Sequence, residues 1–432
     1  MNKWFISVIL ICDSFYYALC GYGQPEQLHI SYTGEHNELY ITWITYEYSK
    51  NSAVKYGLAE LNKRVAATVQ PRFSRGNNLT GFVYRAHVTQ LQELETYVYH
   101  VGGDGGWSSI FYFSIPPSHS HWAPNFAFFS NLGAEKSQSL PQLQQETQTG
   151  DFHMLWHLGN FGYDLQSENS KVFLNSIEPM AGYVPYMTIP GTENSAKNFT
   201  DYKELLTMPG DNDNLYYSFD FGPAHFIVIN TEAYYSIRNG WDLIGSQYQW
   251  LKNDLENAVN NRESIPWIIL FGHRPIYCGR QYEDCNNYER ITRSGLPLIN
   301  AYGIDILLKE YAVDLAIWGH EDSYSRMWPM YDRTVYNKSQ DPYDNPCATV
   351  HITVGSAGRT LNPEQTTTAY CPFVAYNSKD VGYSKMKIFN STHIFIERIS
   401  TERGFDSIDH VWIRKDGRRL GTYNCENGIK VP

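Results

Sequence analysis

No run of three or more lysines or arginines occurs in this chain, whose formal charge is −11. A groove for nucleic acid or polyphosphate needs clustered lysine and arginine to neutralise phosphates, so the composition argues against those ligands. It argues equally against a polybasic hold on an anionic membrane surface. Long apolar runs are also lacking. The stretch Trp4–Cys12 is the most apolar one and is too short to cross a bilayer, so no transmembrane segment is expected. There is no internal repeat and no low-complexity tract.

What stands at the N-terminus is a secretory pattern. Lys3 supplies a basic start, Trp4–Cys12 an apolar segment interrupted afterwards by Asp13, and Ala18-Leu19-Cys20 the small residues of a cleavage site. Residues 1–20 therefore read as a signal peptide, with Gly21 near the mature N-terminus and a secreted or secretory-lumen destination. Four sequons agree with that route, at Asn78, Asn198, Asn337 and Asn390. Removal of the leader leaves five cysteines: Cys278, Cys285, Cys347, Cys371 and Cys425. Cys278 and Cys285 are close enough to close a loop, and Cys347 with Cys371 is the next natural pair. Cys425 is then left over, as a free thiol or as the link of a disulfide-bonded dimer.

The 432 residues are too many for one small domain. From residue 24 to about 116, short aromatic-rich runs such as Leu28–Tyr32 and Leu39–Trp43 alternate with turn residues, which predicts a β-sandwich. The abundance of tyrosine fits pleated, half-buried surfaces. Pro116-Pro117-Ser118-His119-Ser120 reads as a linker. Beyond it, apolar strands are expected at Phe126–Phe129, Met154–Leu158, Tyr186–Ile189, Trp267–Phe271 and Leu315–Trp318, with helices over 138–149 and 247–259 between them. Apolar strands alternating with helices indicate an α/β layer. Each strand runs into a short polar motif: Ser130-Asn131-Leu132-Gly133, Gly159-Asn160-Phe161-Gly162-Tyr163, Gly191-Thr192-Glu193, Gly272-His273 and Gly319-His320-Glu321-Asp322. The carboxyl ends of α/β strands are where sites are assembled.

Five such loops in this order resemble the purple acid phosphatases, whose pattern is GDxG, GDxxY, GNH(D/E), a strand ending in His, then GHxH. Segments outside the loops match too, among them Gln24–Tyr32, Met208-Pro209-Gly210, Tyr217–Pro223, Gly272–Cys278, Val350–Gly358 and Gly382-Tyr383-Ser384. The resemblance implies a two-domain α+β chain: a fibronectin-III-like β-sandwich over residues 21–118, then a calcineurin-like metallophosphoesterase α/β sandwich with its C-terminal extension over 123–432. It also implies a site for iron(III) and a second divalent metal, and acid phosphatase activity.

Against that pattern the metal motifs are broken. The GDxG aspartate is Asn131, the bridging aspartate of GDxxY is Asn160, the GNH asparagine is Thr192 and the histidine beside it is Glu193. The second GHxH histidine is Asp322, while Tyr163, His273 and His320 are retained. Two cations about 3.5–4 Å apart repel, and a bridging carboxylate offsets that repulsion. A neutral amide at residue 160 supplies no such charge. The expectation is a pseudophosphatase that binds no stoichiometric metal pair and serves as a binding or structural protein for an extracellular ligand the sequence does not name. The alternative is a phosphomonoesterase with an altered site, in which His273, His320 and Asp322, joined by Glu193, hold a single zinc. His157 and His225 are expected to be satisfied core histidines, Asp164 a turn residue, and Arg274 a partner in a structural ion pair.

Overall fold

Alternation of side chains along short strands decides the architecture. The computed structural model describes residues 23–73, 79–133, 137–161, 168–195, 198–235, 237–280, 283–296, 301–358, 369–416, 423 and 428–431. The N-terminal region is a sandwich of two antiparallel sheets. One contains Glu26–Tyr32, Leu39–Thr45, Leu79–Val88 and Thr68–Phe73, and the other is built on Ala53–Gly57 and Thr96–Gly103. Its interior is aromatic, with Trp43 stacked on Tyr84 at 5.4 Å and Tyr97 on Phe113 at 5.5 Å. Such rings bury large areas, and each pair ties neighbouring strands of one sheet together.

The second region has two sheets face to face. Strands Asn125–Phe129, Met154–His157 and Tyr186–Thr188 run parallel and are extended by the antiparallel strands Gly382–Ile388, His393–Ser400 and Asp406–Arg414. The other sheet carries Ala224–Val228, Trp267–Gly272, Leu315–Trp318 and Val350–Val354 as parallel neighbours. These strands are buried on both faces, as parallel strands are. Phe226, Ile269 and Phe271 face the opposing sheet, where Trp156 stacks on Phe271 at 4.3 Å. Their neighbours Ile227, Ile268 and Leu270 face the other way, against Ile244, Leu251 and Leu255 of helix Ile237–Asn260.

The five strands expected beyond the linker are present to within a residue at their ends, while Leu28–Tyr32 and Leu39–Trp43 each run two residues longer, as Glu26–Tyr32 and Leu39–Thr45. The helix expected over 138–149 is Leu140–Gln148. The one expected from residue 247 begins at Ile237, because its first turns carry polar residues that hide the apolar spacing. No helix among the described residues is long and apolar enough to cross a membrane. Two local expectations fail. Cys371 is a free thiol while Cys347 is disulfide-bonded, so these two do not pair with each other. Cys371 is instead held against Gly279, whose carbonyl accepts its N–H at 3.0 Å, and burial pushes its thiol up to about 12. His225 is not a core residue: it lies between Asp220 at 2.6 Å and Asp254 at 3.0 Å. Cys278 is disulfide-bonded, and the side chain of Cys285, like Cys425 and Asn78, lies outside the described residues.

Candidate functional site

Parallel strands end together, so their loops meet. Asn131, Asn160 and His320 follow three strand ends with φ of 53°, 61° and 66°. Asparagine tolerates this left-handed region better than most residues, and each turn aims its side chain back over the sheet. Two glycines let the loops approach: a Cβ at residue 159 would lie 2.3 Å from His273 Nδ1, and one at residue 191 would lie 2.3 Å from Asn160 N.

The side chains that converge form a chain of amides. Thr192 N donates to Asn160 Oδ1 at 3.1 Å, Asn160 Nδ2 to Asn131 Oδ1 at 2.8 Å, and Asn131 Nδ2 to Asp322 Oδ1 at 2.8 Å. Asn131 Oδ1 also accepts from Ser130 Oγ at 3.1 Å, and its Nδ2 donates a second time to His320 O at 3.2 Å. With a donor, Thr192 N, at one end and acceptors, Asp322 Oδ1 and His320 O, at the other, the network admits one orientation of each amide.

Beside this chain, Thr192 Oγ1 is a hub. It lies 3.3 Å from Glu232 Oε1, 3.3 Å from His273 Nε2 and 3.4 Å from His320 Nδ1. Glu232 is fully buried and accepts from Arg274 Nε at 2.8 Å. Arg274 Nη1 in turn reaches His320 Nε2 at 3.1 Å, and the guanidinium lies over Tyr235. An arginine only donates, so His320 Nε2 is the acceptor and its proton sits on Nδ1. His273 has the same tautomer, because its Nδ1 donates to Leu158 O at 2.6 Å. Burial, then the neighbouring His320, hold the His273 imidazole well below its usual range, so it is neutral.

The structure thus brings together Asn131, Asn160, Thr192, His273, His320 and Asp322 as the sequence placed them. Arg274 forms the expected ion pair, and His157 is a buried histidine whose Nδ1 lies 2.7 Å from Tyr186 Oη. Tyr163 and Asp164 lie outside the described residues, as does the side chain of Glu193, whose backbone belongs to the short helix Thr192–Ser195. Glu232 was missed. It follows the apolar strand Ala224–Val228 as the other site residues follow theirs, and that repeated pattern was the available signal.

Glu232, His273 and His320 offer ligand atoms within 4.8 Å of one another. A metal pair is a different demand. It needs an anion between the cations. The residue at the bridging position turns an amide N–H toward its neighbour and its oxygen toward the Thr192 N–H. Asp322 supplies a carboxylate, engaged by Asn131. Among the described residues, the donor set does not fit two cations.

This is the fold and loop arrangement of a metallophosphoesterase. Comparison with known proteins agrees. The family model for the purple acid phosphatase N-terminal domain matches residues 25–115, that for the calcineurin-like phosphoesterases 121–324, and that for the iron/zinc purple acid phosphatase-like protein C 348–410. Human acid phosphatase type 7 is 39% identical over 412 residues, covering 92% of each chain. A purple acid phosphatase from yellow lupin seeds superposes with a TM-score of 0.78 at 20% identity, covering 92% of this chain and 76% of its own. A plant relative at 27% identity, covering 79% of this chain and 58% of its own, bears the name probable inactive purple acid phosphatase 9 from Arabidopsis thaliana. The chain belongs to the purple acid phosphatase family.

Proposed function

We propose that this chain is a secreted glycoprotein that keeps the purple acid phosphatase fold as a binding or structural protein and does not hydrolyse phosphomonoesters. The observation that carries this reading is the pair of 2.8 Å amide contacts, Asn160 to Asn131 and Asn131 to Asp322. Two carboxylates at that separation would repel unless a cation lay between them; two amides bond directly. The substitutions therefore remove the anions that hold the metals and also satisfy the loops without metal. A hydroxide nucleophile at mild pH depends on metal, so it is lost as well. A carboxylate at residue 193 in place of histidine opposes a phosphate dianion. Secretion through cleavage of residues 1–20, and a disulfide between Cys278 and Cys285 beyond His273, belong to the same proposal.

Elemental analysis and a phosphomonoester assay on the purified protein test it. The expected result is no stoichiometric iron–zinc or iron–iron pair, no purple charge-transfer colour and no turnover. Two tightly bound metals with turnover on the order of 1 s⁻¹ would overturn it. Restoring Asn131→Asp, Asn160→Asp, Thr192→Asn, Glu193→His and Asp322→His together is expected to recover metal binding.

A second reading rests on the cluster of Glu232, His273 and His320, which resembles the three protein ligands of a zinc site. It requires Arg274 to leave both Glu232 and His320. Zinc bound at one equivalent and lost in His320→Ala would favour it.

A further inference from the structure

The six-stranded sheet carries an aromatic face that the candidate site does not use. At its edge, the strands Gly382–Ile388, His393–Ser400 and Asp406–Arg414 pair with Phe395 opposite Trp412 and Lys387 opposite Phe395. Alternation sends Met386, Ile388, Ile394, Ile396, Val411 and Ile413 inward, where they are buried. The outward face therefore presents Phe389, Phe395 and Trp412. Phe389 lies 5.1 Å from Trp412, and Phe395 4.9 Å from it, while Phe389 and Trp412 remain 40% and 39% exposed. Exposed aromatics gathered on an edge strand call for a cover. This patch lies at the far end from the candidate site, since Lys387 pairs with Asn125, at the opposite end of the strand that leads into Asn131.

The hairpin tip beside Phe389 is the sequon Asn390-Ser391-Thr392. Its geometry is organised. Asn390 Oδ1 accepts from Thr392 N and Thr392 Oγ1, both at 2.9 Å, and Asn390 O accepts from Trp267 Nε1 at 2.8 Å. Asn390 is exposed. Thr392 Oγ1 lies 2.8 Å from His393 Nδ1, and that imidazole meets Trp412 edge-on at 6.1 Å. The carboxamide is thus one hydroxyl removed from the aromatic face.

We propose that Asn390 carries an N-linked glycan whose first N-acetylglucosamine lies on the Phe389–Trp412 face. The attachment requires a polyprenyl-diphosphate-linked oligosaccharide as donor: Asn390 Nδ2 bonds to the sugar's anomeric carbon, the bond from that carbon to the diphosphate oxygen breaks, the lipid diphosphate leaves with the electron pair, and the amide gives up one proton. No redox change occurs. The apolar C–H face of the sugar then covers the rings, which present their negative faces to it. The proposal rests on the secretory route given above and is independent of the reading of the pocket.

The full chain is expressed in a glycosylating secretion host, as wild type, Asn390→Gln, Trp412→Ala, Phe389→Ser and the Asn390→Gln/Trp412→Ala double variant. Glycopeptide mass spectrometry gives occupancy, and thermal unfolding gives the coupling. Expected are an occupied Asn390 and a Tm loss of about 2 °C in Asn390→Gln. The same loss is expected to be absent when Asn390→Gln is made in Trp412→Ala, and trimming to a single sugar should leave the wild-type Tm unchanged. The proposal is overturned if Asn390 is bare while Asn198 is occupied, or if the Asn390→Gln and Trp412→Ala losses add in full. It is equally overturned if the glycosylated wild type dimerises through the patch and Trp412→Ala disperses the dimer. A chain glycosylated at no sequon overturns the secretory reading itself, and this proposal with it.

Discussion

A single nitrogen separates a metal bridge from a hydrogen bond at residue 160. Asn160 Nδ2 donates to Asn131 Oδ1 at 2.8 Å, and Asn131 passes the arrangement on to Asp322. Asn160→Asp would set an oxygen against an oxygen at that distance while leaving the Thr192 N–H satisfied. The expected outcome is destabilisation by about 1–2 kcal/mol at neutral pH, the cost of an acceptor facing an acceptor in a half-buried pocket. Chemical denaturation measures it, and added zinc or iron should not restore the loss, because one restored carboxylate does not hold two cations together. Unchanged stability would mean that the amide chain contributes nothing to the loops. The identities of Asn131, Asn160 and Asp322 were legible in the sequence, because each follows an apolar strand. Their direct bonding to one another was not, since spacing along the chain says nothing about which atom of an amide faces which neighbour.

At the scale of elements, the strand Ala224–Val228 delivers Glu232 to the site, and a histidine braces it. His225 Nδ1 meets Asp220 of the preceding strand at 2.6 Å, and Nε2 meets Asp254 of helix Ile237–Asn260 at 3.0 Å. Burial lowers the His225 pKa, but the two carboxylates outweigh it and raise the group to about 9. A histidine raised in the folded state stabilises that state fully below its unfolded value of about 6.5, and the contribution fades as pH rises through the folded value. His225→Gln is therefore expected to cost about 2 kcal/mol at pH 6, allowing for the exposure of Asp220, and much less at pH 10. Denaturation at the two pH values checks it; an equal loss at both would show that packing, not charge, is at stake. An apolar strand predicted a core histidine here. The flanking carboxylates come from a hairpin partner and from a helix 29 residues on, which strand periodicity does not reveal.

The whole molecule joins its two regions through one continuous core. The same hydrophobic cluster contains Ile30 and Tyr99 of the sandwich and Trp156 and Phe226 of the facing sheets. Polar contacts cross the join as well: Tyr99 Oη donates to Gly182 O at 2.6 Å, Glu178 accepts from Leu28 N at 3.0 Å, and Arg85 Nε donates to Thr207 Oγ1 at 2.8 Å. Two folded layers were legible in the change of strand pattern near residues 116–120, but not this docking, because Tyr99 and Gly182 are 83 residues apart and neither belongs to a motif. A shared core predicts shared unfolding. Tyr99→Phe removes one buried donor and leaves the Gly182 carbonyl without it, which is expected to cost about 1–2 kcal/mol. Calorimetry should show a single endotherm in the wild type, and the substitution should lower that endotherm as a unit, with Trp43 in the sandwich and Trp156 between the sheets reporting one midpoint. Two endotherms, only one of them moved by Tyr99→Phe, would show that the sandwich and the phosphoesterase-like layers unfold separately and that the join is a contact rather than a core.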